Sequence, residues 1–241
     1  MALKAVFFDL DGTLLPMNQD LFLKAYFQGL CKKLAPYGYE PEALIKAIWA
    51  GTEAMIQNDG RRSNEAVFWQ KFCAIFGKEA ADDEPIFAEF YQKEFQEIQA
   101  VCGYHPKAKE TVKLCRALGL PVILATNPIF PAIATESRIT WAGLEKEDFK
   151  LITTYENIGF SKPNPAYYAE LLERFDLKGE ECLMVGNDTG DDLPAGQLGM
   201  EVFILTDCLI NKNNISLDEI PNGGFDELQK RIKELAGKKS D

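Results

Sequence analysis

Histidine is nearly absent from this chain, with one residue, His105, in 241. That excludes the H-E-x-x-H metalloproteases and makes any Ser-His-Asp hydrolase depend on a single loop position. G-x-S-x-G, a Walker-type G-x-x-x-x-G-K and G-x-G-x-x-G are also missing, so neither a nucleophile elbow nor the common nucleotide-phosphate loops are encoded. Basic residues are outnumbered by acidic ones, 26 to 37, for a formal charge of −11. An acidic surface repels phosphate backbones and anionic headgroups. Arg61-Arg62 and Lys238-Lys239 are too short to form a basic stripe, which argues against nucleic-acid and membrane partners. No window approaches the roughly 18 consecutive apolar residues of a membrane span, and Met1 to Leu10 lacks a signal-peptide pattern, so the expected location is cytoplasmic. Six cysteines (Cys31, Cys73, Cys102, Cys115, Cys182, Cys208) form no C-x-x-C pair and sit in mostly apolar surroundings, which reads as reduced core thiols.

The residues that are plentiful describe an α/β protein. With 46% hydrophobic residues the chain can bury a large core. Short apolar runs at Lys4 to Leu10, Pro121 to Thr126, Leu151 to Thr154, Cys182 to Gly186 and Glu201 to Thr206 alternate with helical patterns, which predicts a doubly wound parallel sheet. Pro106 to Leu118 carries an apolar face closed by Gly119. Asn164-Pro165 caps a helix burying Tyr168, Leu171 and Phe175, and Phe225 to Ala236 repeats the pattern. Between the first two strands lie about ninety residues, far more than a parallel crossover needs. Four helical stretches are expected there: Asp20 to Ala35, Pro41 to Gln57, Asn64 to Phe76 and Pro85 to Gln99. The predicted organisation is a Rossmann-like core of residues 1–14 and 106–241 and an inserted all-helical module of 15–105. Hinges are expected near Leu14 to Asn18 and Val101 to Pro106.

The most informative string is Asp9-Leu10-Asp11-Gly12-Thr13, directly after Ala5-Val6-Phe7-Phe8. Ligands of open α/β sheets bind beyond the carboxyl ends of the strands, where these two carboxylates fall. This string resembles the first motif of the haloacid dehalogenase (HAD) superfamily, and three later strings match its other motifs in order. Thr126-Asn127 ends the second strand, Lys162 lies in Ser161-Lys162-Pro163-Asn164-Pro165, and an acidic stretch runs from Val185-Gly186-Asn187-Asp188 to Asp191-Asp192. The resemblance spans the core, and the helical insert falls where the family places its C1 cap. Each residue also has a plainer reading: Thr126 as a β-former, Lys162 as a loop lysine, and Asp188, Asp191 and Asp192 as acids at a helix start.

Four carboxylates (Asp9, Asp11, Asp188, Asp192) converging on one crevice would repel one another unless a hard divalent cation joined them, and Mg2+ suits an all-oxygen site. The resemblance implies a metal held by the side chain of Asp9, the backbone carbonyl of Asp11 and Asp188 with Asp192, although Asn187 occupies the place many relatives give to aspartate. It also implies Asp9 as nucleophile, Asp11 as acid and base, and Thr126, Asn127 and Lys162 as the phosphate-binding group. The implied activity is a Mg2+-dependent phosphomonoester hydrolase acting through an aspartyl-phosphate on a small phosphorylated metabolite. A sugar-phosphate mutase of the same superfamily is the alternative, and a non-enzymatic phospho-acceptor or binding module ranks below both. Arg61 or Arg62 in the Asn58 to Ser63 loop is a candidate substrate contact, and His105 reads as a hinge residue. A monomer and a homodimer are equally compatible with the sequence.

Overall fold

The computed structural model describes residues 2–237, so the Lys238-Lys239 pair lies outside the described residues. Five apolar runs form parallel strands, β1 (Ala5–Phe8), β2 (Val122–Leu124), β3 (Leu151–Ile152), β4 (Cys182–Gly186) and β5 (Glu201–Leu205). A two-residue strand that the sequence pattern did not predict, β6 (Asn222–Gly223), completes the sheet. The order is β3-β2-β1-β4-β5-β6 with every pairing parallel. The chain therefore winds outward in opposite directions from β1 and β4, and this reversal opens a crevice at their carboxyl ends.

Both sheet faces are covered, which explains why the strands are apolar throughout rather than alternating. Val6, Phe8, Leu183 and Val185 face α5 (Pro106–Ala117), α8 (Phe225–Ala236) and the helical insert. Ala5, Phe7, Met184 and Ile204 face α7 (Pro165–Arg174), through Tyr167, Tyr168 and Leu171. A helix not anticipated from sequence, α6 (Ala132–Trp141), lies between β2 and β3. Arg138 interrupts its apolar face, which hides the helical periodicity.

The insert contains α1 (Gln19–Leu34), α2 (Pro41–Ile56), α3 (Asn64–Phe76) and α4 (Glu84–Gln92). The fourth expected helix breaks at Lys93 and continues as 3-10 turns over Glu94–Val101. Gln96 Nε2 caps the carbonyl of Tyr91 at 2.8 Å where the α-helical ladder ends. Helix α1 is capped by Asn18, whose side chain accepts from the Leu21 amide, and α3 by Ser63. The apolar core of the insert is continuous with that of the sheet. Phe95 stacks on Trp141 at 5.1 Å, and Phe22 and Tyr26 meet Phe130 edge-on.

The two linkers that enter and leave the insert run side by side. Met17 and Cys102 form an antiparallel bridge, and the Gly103 amide donates to the Pro16 carbonyl at 2.6 Å. His105 caps α5, its Nδ1 accepting from the Lys107 amide while the ring packs on Phe225. The six cysteines form no disulfide, and Cys115 and Cys182 are buried. No helix among the described residues is long and apolar enough to cross a membrane.

Candidate active site

Local backbone geometry delivers Asp9 and Asp11 to the crevice. The chain turns sharply after β1, with Gly12 at φ +85, a conformation costly for residues with a Cβ. A Cβ on Gly12 would lie 2.3 Å from Asn187 Nδ2, so the first and fourth motifs touch only because this residue is glycine. Thr13 Oγ1 sits 2.9 Å from Asn187 Oδ1 and 3.2 Å from Asp9 Oδ2, bridging the two loops.

Lys162 is 1% exposed, with Nζ 3.1 Å from Asp9 Oδ1 and 2.7 Å from Asp192 Oδ1. Burial alone would lower its pKa, but the carboxylates of Asp192 and Asp9 outweigh it and hold the ammonium well above its ordinary value. Burial has the opposite effect on Asp9. Assisted by the charges of Asp192 and Asp11, and opposed by Lys162, it pushes that carboxyl up to about 7.

Asp192 has no oxygen left over. Oδ1 accepts from Lys162 and Oδ2 from the Asp188 amide at 3.0 Å. It folds back over the end of β4, where a Cβ on Gly186 would come within 1.9 Å of Oδ2. Asp192 is therefore the carboxylate that, with Asp9, holds Lys162. Asn187 is similarly occupied, because Oδ1 accepts from Thr13 and Nδ2 donates to the Cys208 carbonyl at 2.7 Å. Asp188 differs from both. Oδ1 accepts from the amides of Gly190 and Asp191, and Oδ2 has no hydrogen bond among the described residues.

Thr126 and Asn127 follow β2 into the same cavity. The Thr126 carbonyl is fixed by the hydroxyls of Thr153 at 2.6 Å and Tyr167 at 2.9 Å. Asn127 Nδ2 donates to Asp191 Oδ2 at 3.2 Å, whereas Asn127 Oδ1 is buried without a partner among the described residues.

A buried charged side chain of the site that sequence reasoning missed is Arg138, on α6. It is 1% exposed and ion-paired through Nη1 to Asp11 Oδ2. Nε donates to the Ala134 carbonyl and Nη2 to Thr135 Oγ1, each at 3.2 Å, and the guanidinium lies 4.4 Å from the Phe130 ring centre. Asp11 Oδ1 is buried and has no hydrogen-bond partner among the described residues. Burial raises the Asp11 carboxyl, against the pull of Arg138 and Lys162. The available signal was an arginine in line with Ala134 and Trp141 on an otherwise apolar helix face, since arginine is almost never fully buried unless paired.

Arg61 and Arg62 do not line the cavity. Arg61 pairs with Asp59 in solvent and Arg62 donates to Gln70 at 2.7 Å. Their loop is instead pinned to the core next to the third motif. Buried Asn64 Nδ2 donates to the Pro128 carbonyl and Ser161 Oγ, each at 3.0 Å, while Asn58 donates to Asn64 Oδ1 at 2.9 Å.

Comparison with known proteins gives the family and the fold. The family model for "haloacid dehalogenase-like hydrolase" matches residues 3–199. A phosphoglycolate phosphatase of Yersinia pestis is 28% identical over 210 residues, covering 85% of this chain and 82% of its own. The structure of a predicted phosphoglycolate phosphatase from Haemophilus somnus superposes with a TM-score of 0.59 at 22% identity, covering 95% of this chain and 97% of its own. That of a 2-haloacid dehalogenase from Pseudomonas syringae gives 0.61 at 19% identity, covering 96% and 99%. At such identities the two structures speak to the fold.

Proposed function

Because the chain belongs to the haloacid dehalogenase-like hydrolases, we propose that it is a Mg2+-dependent phosphatase. It would act on a small phosphorylated metabolite through an aspartyl-phosphate on Asp9, with the insert of residues 15–105 as a cap over the crevice. The observation that carries this reading is the unequal treatment of two carboxylates. Asp9 is held by Lys162 and Thr13 at the mouth of β1, while Asp11 has one oxygen fixed by Arg138 and the other free.

The donor set fits a hard cation. Asp9, Asp11, Asp188, Asp191 and Asp192 outnumber Lys162, Arg138 and Lys212 by two charges, and most side-chain polar atoms at this end of the cavity are oxygens, the nitrogens being those of Lys212 and of the Asn127 and Asn187 amides. Among the described residues, no three His, Cys, Asp or Glu side chains gather into a closed cage. Mg2+ uses one or two carboxylates and keeps water and phosphate oxygens as its other ligands. Asp9, the Asp11 carbonyl and Asp188 would hold it, with Asp192 behind them. When bound, the ion offsets the negative charge of the phosphoryl group and of Asp9.

An Asp9 oxygen attacks phosphorus and the bond from phosphorus to the alcohol oxygen breaks. Asp11 donates the proton that the leaving oxygen needs, its carboxyl held in place by Arg138. Water then attacks the aspartyl-phosphate, its proton passes to Asp11, and the bond to Asp9 breaks to give inorganic phosphate. Lys162 neutralises charge on Asp9 and on the phosphoryl oxygens in both steps, and Thr126 and Asn127 bound the same end of the cavity.

The test is phosphate release from a broad panel of phosphomonoesters with Mg2+ and with EDTA, using Asp9→Asn as control. Metal-dependent turnover abolished by the substitution is expected. Failure of the folded, Mg2+-loaded protein to hydrolyse any member would overturn the reading.

A further inference from the structure

The cavity above Asp9 is about 470 Å³, and its two ends differ in chemistry. The phosphate end carries the carboxylates. The cap end is mostly aromatic and aliphatic, with Phe22, Trp49, Phe68 and Phe87 among its members and Gln19 and Thr52 as uncharged polar ones. The Tyr91 hydroxyl lies 2.9 Å from that of Tyr26, so one of the two hydroxyl hydrogens is taken up within the pair. Among the described residues, the only cation lining the cavity is Lys212. It sits two residues after Ile210, whose backbone pairs with Asn187 and Thr189, and so belongs to the core side of the cavity. The two buried cations are already occupied, Lys162 by Asp9 and Asp192, and Arg138 by Asp11, Ala134, Thr135 and the Phe130 face. The one charged side chain that α1 contributes to the wall is acidic, Asp20.

Resting on the phosphatase reading above, we infer that the preferred substrate is a phosphomonoester whose alcohol carries an aromatic or comparably bulky apolar group, not a small carboxylate such as that of phosphoglycolate. A second anionic group beyond the phosphate would enter an apolar wall with no cation to pair with, and an unpaired charge in such surroundings is strongly disfavoured. A phenyl ring in the same place would leave water for surface that is already apolar. Ring faces and edges are available to pack against it at several angles. The volume is within the range of pockets that enclose drug-sized ligands and exceeds what a two-carbon acid fills.

The experiment compares alkyl phosphates matched in leaving-group chemistry: 2-phenylethyl phosphate, glycerol phosphate and 2-phosphoglycolate, each assayed by phosphate release with Mg2+. The expected kcat/KM for 2-phenylethyl phosphate is at least tenfold above that for 2-phosphoglycolate, about 1.4 kcal/mol. Turnover with the order reversed would overturn the inference and leave the phosphatase reading standing. No turnover of any member would remove both. Binding is measured independently of turnover by tryptophan fluorescence, titrating with 3-phenylpropylphosphonate and 3-phosphonopropanoate. The former should bind at least tenfold more tightly, and equal or inverted affinities would count against the inference. Thr52→Arg places a cation in the wall at a position on α2 whose hydroxyl only bonds back to the Ile48 carbonyl. It should shift the kcat/KM ratio at least tenfold toward 2-phosphoglycolate, and an unchanged ratio in folded protein would contradict the proposed role of the wall.

Discussion

Arg138 and Asp11 lie 127 positions apart and form a salt bridge in which the arginine is 1% exposed and the aspartate side chain 24%. Removing one partner of such a pair leaves the other as a charge without compensation, which typically costs about 3–5 kcal/mol. Asp11→Ala should fall near the lower bound, about 3 kcal/mol, because the Ala134 carbonyl, Thr135 hydroxyl and Phe130 ring still contact the guanidinium. For a chain of this length that corresponds to a fall in Tm of roughly 6–12 °C. Arg138→Met should cost less, about 1–2 kcal/mol, since Asp11 is nearer water and still feels Lys162. The double variant removes both charges together, so its loss should be smaller than the sum of the single losses by about 2 kcal/mol. The assay is urea unfolding of all four proteins in EDTA, with Asp9→Ala as a carboxylate control that leaves Arg138 paired. Additive losses to within about 0.5 kcal/mol would refute the coupling, as would an Asp11→Ala protein as stable as the parent. Arg138→Met should also reduce kcat more than it raises KM, because Arg138 orients the proton-carrying group without touching substrate.

Burial raises the Asp9 carboxyl to about 7, so without a cation its ionisation opposes folding, and stability due to this group declines as pH rises from about 4 to about 7. Asp9→Asn should remove that slope and exceed the parent in stability near pH 7 by an amount on the order of a few kcal/mol. Chemical unfolding across this pH range in EDTA checks it, and identical slopes would refute it. Burial, followed by the charge of Asp11, pushes the Cys102 thiol up to about 11. Its alkylation by iodoacetamide at pH 8 should be about a hundredfold slower than that of an unperturbed thiol and should keep accelerating to about pH 11, as read by peptide mass spectrometry. Gly12→Ala combines a positive φ with a Cβ 2.3 Å from Asn187 Nδ2. Circular dichroism should show a folded protein, while steady-state assay should show at least a tenfold loss of kcat, because Asn187 must move away from Thr13 and Cys208.

Much of the architecture was legible because it is encoded locally. Runs such as Ala5-Val6-Phe7-Phe8 and Cys182 to Gly186 are apolar at every position, as strands covered on both faces must be. First-turn prolines marked α2 and α5, and Asn164 with Pro165 marked α7. The pattern failed where local signals were weak. Strand β6 has two residues with little apolar character, the fourth insert helix changes geometry at Lys93, and α6 has an arginine on its inner face.

The candidate site divides along the same line. Which residues reach the crevice follows from strand ends and turn residues, so Asp9, Asp11, Thr126, Lys162, Asp188 and Asp192 were all identifiable from the chain and all lie at the carboxyl end of the sheet. What each carboxylate does there depends on which groups occupy its oxygens, and those partners come from distant segments. Asp192 is engaged by Lys162 thirty positions away, Asn187 by Thr13, and Asp11 by Arg138. The cavity wall likewise brings aromatics from four separate segments of the insert over the carboxylate end. Side-chain pairings of this kind are settled by strand register and helix packing, which fix distances to a fraction of an ångström, whereas composition and spacing fix only the residues available to meet.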